Sequence, residues 1–257
     1  MKILLTGSEG RICQDLLVPL LSKDHEVVGF DLVLGDDMLD PESLKRKADG
    51  CDIVVHTAGI SGPQGKDVSL YESVSVRGGK NVIDTGLPVV FFSSMAYYGA
   101  DAWMRNREEC GPVVGDGVAV PKYLPIDTSH PSVATYDGLV NAGGREYGMS
   151  KVHIEEYARG KHLVSLRLCG FREVTKRRKH RWEKVIEDAK NGNAPYRKMW
   201  LYSLAGTCTR KSLSEAMVWA LEQKGGAVKN VGVMGTGLED VCRAYFPTLE
   251  PADQIFV

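Results

Sequence analysis

Hydrophobic residues open the chain as a short unbroken run and then change to helical spacing. Residues 3–6 read as a buried strand, Gly7 breaks it, and residues 12–21 place apolar side chains on one helical face. Pro19 predicts that this helix ends or kinks near Val18, because proline lacks an N–H and crowds the preceding turn. A strand is expected at 26–31, a helix at 42–48 opened by Pro41, and a strand at 52–56. A long helical segment over 68–85 and a strand over 89–93, ending in Ser93 and Ser94, come next. Strands alternating with helices imply a mostly parallel sheet with right-handed crossovers. The polar link over 32–40 is short for a full strand–helix–strand unit, so one element is trimmed there.

From 100 to 146 the pattern fades and Gly, Pro, Asp and Ser are frequent. A stretch of this length is often functional. It reads either as a lid or as a surface insertion with some strand content. Beyond it the pattern predicts a helix at 148–158, a strand at 163–168, helices at 182–190 and 212–223, and short strands at 199–203 and 228–233.

Composition narrows the class. The 257 residues are 43% hydrophobic and 25% charged, enough for a full core. A net charge of −1 gives no global case for nucleic acid. Positive charge is concentrated locally, in the run 176–181. Six cysteines, none in a C-x-x-C pair, read as free thiols in a reducing compartment, which points to the cytoplasm. The chain opens on a strand where a signal peptide would show an apolar core, and no apolar stretch is long enough to span a membrane.

Candidate chemistry gathers where strands end. Gly7 and Gly10 sit at the turn from the first strand into a helix, where backbone amides and the helix N-terminus favour a pyrophosphate. A plain β–α turn is the ordinary alternative. Asp31 ends the second strand, where a carboxylate accepts from adenosine ribose hydroxyls and repels a 2′-phosphate, favouring NAD over NADP. Asp36 or Asp37 is placed to reach the adenine edge. Tyr147 and Lys151 stand one helical turn apart on one face. An ammonium beside a phenol eases phenolate formation, so Tyr147 is a candidate proton donor and acceptor. Ser94 can hydrogen-bond a substrate oxygen, and Ser93 reads as structural. His56 has no partner at metal spacing and reads as a packing histidine. The fold expected is α/β, a Rossmann-type doubly wound parallel sheet over 1–170. A small C-terminal substrate-binding lobe over 171–257 sends its secondary elements back to the core.

Over roughly residues 1–170 the sequence resembles the extended short-chain dehydrogenase/reductases, in the branch of sugar-nucleotide epimerases and dehydratases. Residues 6–13 resemble the family's TGxxGxxG, with Cys13 in place of the third glycine. That resemblance implies cofactor contacts from Glu9, Arg11 and Ile12 beside Gly7 and Gly10. Residues 56–59 are similar to its HxAG motif and imply that Thr57, Ala58 and Gly59 lie along the cofactor. Residues 93–99 are similar to SSxxxYG, and Tyr147 with Lys151 matches YxxxK. The resemblance gives Ser94, Tyr147 and Lys151 the catalytic roles and adds a grip on the nicotinamide ribose to Lys151. Ser75 stands where the family has an asparagine, and the interval before Tyr147 is longer than the family pattern.

The function implied is NAD-dependent oxidation or epimerisation at a secondary alcohol of a sugar or sugar-nucleotide. Met95 and Ala96 replace the acid–base pair of the family's 4,6-dehydratases, which disfavours that reaction. Two alternatives stay open: a reductase or dehydrogenase of a small non-nucleotide polar alcohol or ketone, and a non-catalytic nucleotide-binding scaffold. Arg172, Arg178 and Arg181 are candidate substrate contacts with Ser94 and Tyr147, although a solvated basic face explains the run equally simply. The resemblance also implies a homodimer through segments 68–85 and 148–158, supported by the apolar Val74, Val82, Met149 and Ile154. No nucleic-acid or membrane partner is expected.

Asp31 sets the first prediction. Titrated with both cofactors, the wild-type protein should prefer NAD, and Asp31→Ala should lose most of that preference. Tighter NADP binding by the wild type contradicts the assignment.

Overall fold

The computed structural model describes residues 1–61, 67–98, 113–114, 118–119, 128–129, 132–135, 142–168, 170–171 and 207–231. The first strand, β1 (Lys2–Thr6), pairs in parallel with β2 (Glu26–Phe30) on one side and β3 (Ile53–His56) on the other. Leu4 lies between Val28 and Val54 in this register. β4 (Val89–Ser94) pairs in parallel with β3, and β7 (Leu163–Leu168) and β10 (Val228–Val231) continue the sheet. The order is β10-β7-β4-β3-β1-β2. Ile3, Leu4, Leu5, Val54, Val55 and Val90 are fully buried, which is why these strands read as unbroken apolar runs.

The chain travels from β1 to β2 in one direction along the sheet and from β2 to β3 in the other. Right-handed crossovers then place the intervening helices on opposite faces, giving the doubly wound arrangement. α2 (Pro41–Ala48) makes the second crossover, capped by Asp40, whose carboxylate accepts from Glu42 N–H at 3.0 Å. No strand lies outside β2 among the described residues. This is the trimmed element expected after Asp31, where a 3-10 turn, Leu32–Leu34, stands instead.

The first helix spans the expected residues, and of the two outcomes expected at Pro19 the structure excludes an end. A π-helical turn, Cys13–Leu17, runs directly into α1 (Val18–Leu21), and Pro19 sits in the first turn of that α segment. The widened turn shifts the preceding hydrogen bond to Val18 N–H with Cys13 O, so the missing proline donor falls where the register has already changed. A second π turn, Tyr71–Val76, leads into α3 (Arg77–Ile83). α4 (Ala142–Tyr157) starts earlier than the expected residue 148.

One core cluster joins the sheet to α2, α3 and α4 through Leu4, Phe30, Leu44, Val54, Phe91 and Leu163. Val82 and Ile154 belong to it. Their apolar character is therefore explained inside the protomer and no longer supports a dimer contact. Exposed charged residues on α3 and α4 and in the chain adjoining them are Glu72, Arg77, Asp84, Glu156 and Arg159.

The chain divides into two units. The first comprises Met1–Asp101, Pro131–Arg167 and Ser214–Asn230 and holds nearly all of the six-stranded sheet. The second comprises Ala102–His130, Leu168–Leu213 and Val231–Val257. Within the second, β5 (Val113–Val114) and β6 (Val118–Ala119) form an antiparallel ribbon, which gives the 100–146 stretch some strand content. β8 (Gly170–Phe171) pairs in parallel with β9 (Thr207–Cys208). α5 (Arg210–Leu221) covers most of the expected 212–223 helix. The helix expected at 182–190 and the strand at 199–203 lie outside the described residues. Among the described residues, no helix is long and apolar enough to cross a membrane.

Candidate active site

Three strand ends meet at one edge of the first unit. β1 and β3 are neighbours whose following chains leave in opposite directions, so a crevice opens beyond their carboxyl ends. Gly7 occupies the end of β1 with φ 74°, a conformation that favours glycine. A Cβ there would lie 2.8 Å from Thr57 Oγ1 and 2.9 Å from Ala58 N, so the turn must pass bare against the loop after β3. Gly7 N–H donates to Phe30 O at 2.8 Å and Gly10 N–H to Gly7 O at 2.9 Å, which fixes the turn. The N–H groups that follow, at residues 11–13, open a helix and lack intrahelical acceptors. Ser8 Oγ is buried here without a hydrogen-bond partner among the described residues.

Asp31 lies beside this turn. Oδ2 accepts from Glu9 N–H and Oδ1 from Val33 N–H, both at 3.0 Å. Each carboxylate oxygen keeps a further lone pair for a hydroxyl donor. The same side chain thus ties the glycine turn after β1 to the chain after β2. Arg11 is exposed and Ile12 half-buried at the helix start. Asp36 is buried and ion-paired with Lys47 at 3.1 Å, while Asp37 is exposed and accepts from Leu39 N–H at 2.8 Å. The bare glycine turn, the helix-start amides, the orphaned Ser8 hydroxyl and the Asp31 carboxylate fit a dinucleotide.

The departures from the family pattern have local explanations. Cys13, in the third glycine position, is buried with Sγ 3.1 Å from Thr57 Oγ1. Burial pushes its thiol up to about 11, so it packs as a neutral group. Thr57 Oγ1 also donates to Thr6 O at 2.7 Å, which ties the loop after β3 to β1. Ser75 Oγ accepts from Ile60 N–H at 2.9 Å and would stand 3.2 Å from a Cβ at Gly59. A serine here holds the backbone beyond Gly59, and its small size suits the close approach.

Ser94 ends β4, and its Oγ accepts from Ala96 N–H at 3.2 Å. Ala96 belongs to a 3-10 turn, Met95–Tyr98, against which α4 is pressed. A Cβ at Gly148 would collide with the Ala96 carbonyl oxygen and stand 3.2 Å from Val133 Cγ1. Gly148 therefore sets the approach of the Tyr147 helix to the Ser94 turn. Sequence reasoning passed over it. The available signal was a glycine in the body of a helix, which costs about 1 kcal/mol against alanine and needs a reason.

Tyr147 is half-buried and its ring centre lies 5.8 Å from that of Tyr71. Lys151 is buried. Its Nζ donates to Phe92 O at 3.4 Å and lies 5.4 Å from the Tyr147 ring centre and 5.0 Å from that of Phe91. Burial pushes the Lys151 ammonium down to about 8, with Glu155 pulling the other way. His56 packs on Phe91 with ring centres 5.6 Å apart, and Nδ1 lies 2.7 Å from Thr6 Oγ1. Burial first, and the Lys151 charge second, push it down to about 3, so it is a neutral packing residue at ordinary pH. Ser93 is structural, as expected, donating to Glu155 Oε1 at 2.7 Å. No group of three metal-ligating side chains occurs among the described residues. Arg172, Arg178 and Arg181 lie outside them.

The fold is that of a doubly wound α/β protein, with Ser94, Tyr147 and Lys151 all on its first unit. Residues 3–115 match the NAD dependent epimerase/dehydratase family, and the fold is similar to that of solved short-chain dehydrogenase/reductases. A short-chain dehydrogenase/reductase superfamily protein from Agrobacterium tumefaciens with bound NAD is 20% identical, with TM-score 0.56, covering 90% of this chain and 77% of the other. UDP-glucose 4-epimerase from Thermus thermophilus in complex with NAD is 18% identical, with TM-score 0.56, covering 90% and 78%. A mutated uronate dehydrogenase is 16% identical, with TM-score 0.59, covering 98% and 89%. No curated protein matches the sequence.

Gly148 yields the second prediction. Gly148→Ala should push α4 off the Ser94 turn and lower turnover about 10²-fold, the scale of a misplacement near 1 Å. Steady-state kinetics on an alcohol the wild type oxidises is the check, with thermal melting as the folding control. Wild-type turnover in the variant would show that the close approach has no catalytic value.

Proposed function

We propose that the protein is an NAD-dependent oxidoreductase or epimerase acting on a secondary alcohol of a sugar or sugar-nucleotide. The observation that carries this reading is the gathering of the glycine turn, Asp31, Ser94, Tyr147 and Lys151 on the first unit. Ala96 N–H donates to Ser94 Oγ, which leaves the Ser94 proton to be given to a substrate oxygen. Tyr147 then takes the proton of the substrate hydroxyl. The Lys151 ammonium, dry and near the Tyr147 ring, favours the phenolate that does this. NAD, when bound, supplies the hydride acceptor. Gly7, Glu9, Gly10, Arg11, Ile12 and Asp31 hold its diphosphate and adenosine side, aided by Asp36 and Asp37. Thr57, Ala58 and Gly59 flank it, and Lys151 grips the nicotinamide ribose. A binding scaffold has no need of a buried lysine beside a tyrosine and a serine, which weighs against the non-catalytic alternative.

A sugar-class substrate draws support from relatives named for uronate and for UDP-glucose. In this reading Arg172, Arg178 and Arg181 meet the substrate's phosphate or carboxylate. Cytoplasmic residence accords with the buried free thiols of Cys13, Cys51 and Cys208. The assembly is a homodimer through the π turn, α3 and α4. Its contacts are polar, given the exposed charges on and beside α3 and α4.

Tyr147→Phe should keep NAD binding and lower turnover about 10²-fold or more. Near-wild-type turnover on the authentic substrate removes the proton-transfer role. Arg172→Ala, and Arg178→Ala with Arg181→Ala, should raise KM while leaving kcat and NAD affinity in place. Unchanged KM in both points to a small neutral alcohol instead. Sedimentation at micromolar concentration should show a dimer that dissociates as salt is raised. A monomer at low salt rejects the dimer.

A further inference from the structure

We propose that the Glu155–Arg167 pair is a positioning unit of the candidate active site, tying the Ser94 turn to the Tyr147–Lys151 helix and setting the electrostatic surroundings of the Lys151 ammonium. Nothing in the motifs assigns these residues a role. The inference rests on the reading of Ser94, Tyr147 and Lys151 given above.

The geometry is a continuous network among residues of the first unit. Arg167 Nη2 donates to Glu155 Oε2 at 2.7 Å and Nε to Oε1 at 3.2 Å, a two-pronged contact with Arg167 buried and the Glu155 side chain only 9% exposed. Ser93 Oγ and Ser165 Oγ each donate to Glu155 Oε1 at 2.7 Å. Ser93 precedes Ser94 on β4, so the carboxylate fixes the backbone immediately before the candidate catalytic serine. The other side of the guanidinium fixes the backbone after it. Arg167 Nη1 donates to Tyr98 Oη at 2.6 Å, and Tyr98 Oη donates to Asn230 Oδ1 at 2.8 Å. The guanidinium also lies 3.4 Å from the Tyr97 ring centre. Tyr97 and Tyr98 close the 3-10 turn that begins at Met95. Ser94 is thus held from both sides by one ion pair.

Glu155 reaches the other half of the site through its own helix, one turn beyond Lys151 and two beyond Tyr147. Among the described residues, the charged and titratable groups around the ammonium are these. Tyr147 and Glu155 come from α4, and neutral His56 comes from β3. Tyr71 packs on Tyr147 from the π turn, and Arg167 stands behind Glu155 on β7. β4 adds the Phe92 carbonyl and the Phe91 ring. Glu155 is the anion in this group. It keeps the lysine charged against burial, and Arg167 limits how far it does so.

The sign of each substitution follows. Glu155→Gln removes the anion, so the Lys151 ammonium is less favoured and its titration falls below about 8. Arg167→Met leaves Glu155 uncompensated, with Ser93 and Ser165 still donating, so the titration rises. A merely structural role moves neither, or moves both alike as water enters.

The test titrates Lys151 in the substrate-free full chain by NMR of protein carrying 13Cε-lysine, the signal being assigned by its loss in Lys151→Arg. The expected midpoints fall at least about one pH unit in Glu155→Gln and rise in Arg167→Met. The double variant, Glu155→Gln with Arg167→Met, buries no unpaired charge and serves if a single variant unfolds. Its midpoint should lie below wild type and above Glu155→Gln. Glu155→Asp retains the charge but shortens the reach, so its midpoint should stay near wild type while kcat falls. An unmoved midpoint in folded Glu155→Gln, a shift of the same sign in both single variants, or a double variant equal to wild type overturns the proposal. The titration needs no substrate. Failure to find an oxidisable alcohol would therefore count against the proposed reaction and leave this result standing.

Discussion

An ammonium withdrawn from water costs several kcal/mol unless the protein returns charge and dipoles to it, and Lys151 is only 7% exposed. What surrounds it is the compensation: the Phe92 carbonyl, the faces of Phe91 and Tyr147, and the Glu155 carboxylate further along the helix. Each partner constrains another part of the fold. The carbonyl belongs to β4, so α4 must lie against that strand. The carboxylate is itself largely withdrawn from water, so it needs Arg167, Ser93 and Ser165. Arg167 is buried in turn and draws in Tyr97, Tyr98 and Asn230. Taking one charge out of water has fixed β4, the turn after it, α4 and β7 relative to one another.

Close approach is the second organising constraint, and it acts through missing Cβ atoms. At Gly7 the turn after β1 passes against Thr57 and Ala58, and at Gly148 the Tyr147 helix passes against Ala96. The first brings the ends of β1 and β3 together at the place where the sheet reverses its winding. The second brings the ends of β4 and α4 together. Cofactor and substrate chemistry need both at once, since the group that receives a hydride and the group that receives a proton must meet at one carbon.

β1, β3, β4 and β7 were legible in the sequence because central strands buried on both faces give largely apolar runs. The 1–61 segment was legible for a further reason: Gly7, Asp31 and Pro41 are local conformational signals. The helix over 12–21 was legible in extent, but the π turn before Val18 was not, because it depends on hydrogen-bond register that composition does not encode. Val82 and Ile154 misled for the opposite reason. Apolar helical residues are required by a core and by an interface alike, and only packing separates the two. Glu155 and Arg167 escaped notice because each is ordinary alone. An arginine inside the buried strand Leu163–Leu168 was the clue, and it becomes informative when the pairing partner is seen. The substrate side was least legible, since Arg172, Arg178 and Arg181 follow no periodic pattern that fixes where their side chains go.

The most direct test of the account is a crystal structure of the protein with NAD. The account predicts the diphosphate on the Gly7–Gly10 turn, the adenosine ribose on Asp31, and the nicotinamide beside Ser94 and Tyr147, its ribose hydroxyls on Lys151. A nicotinamide remote from Tyr147, or an adenosine ribose away from Asp31, would contradict it.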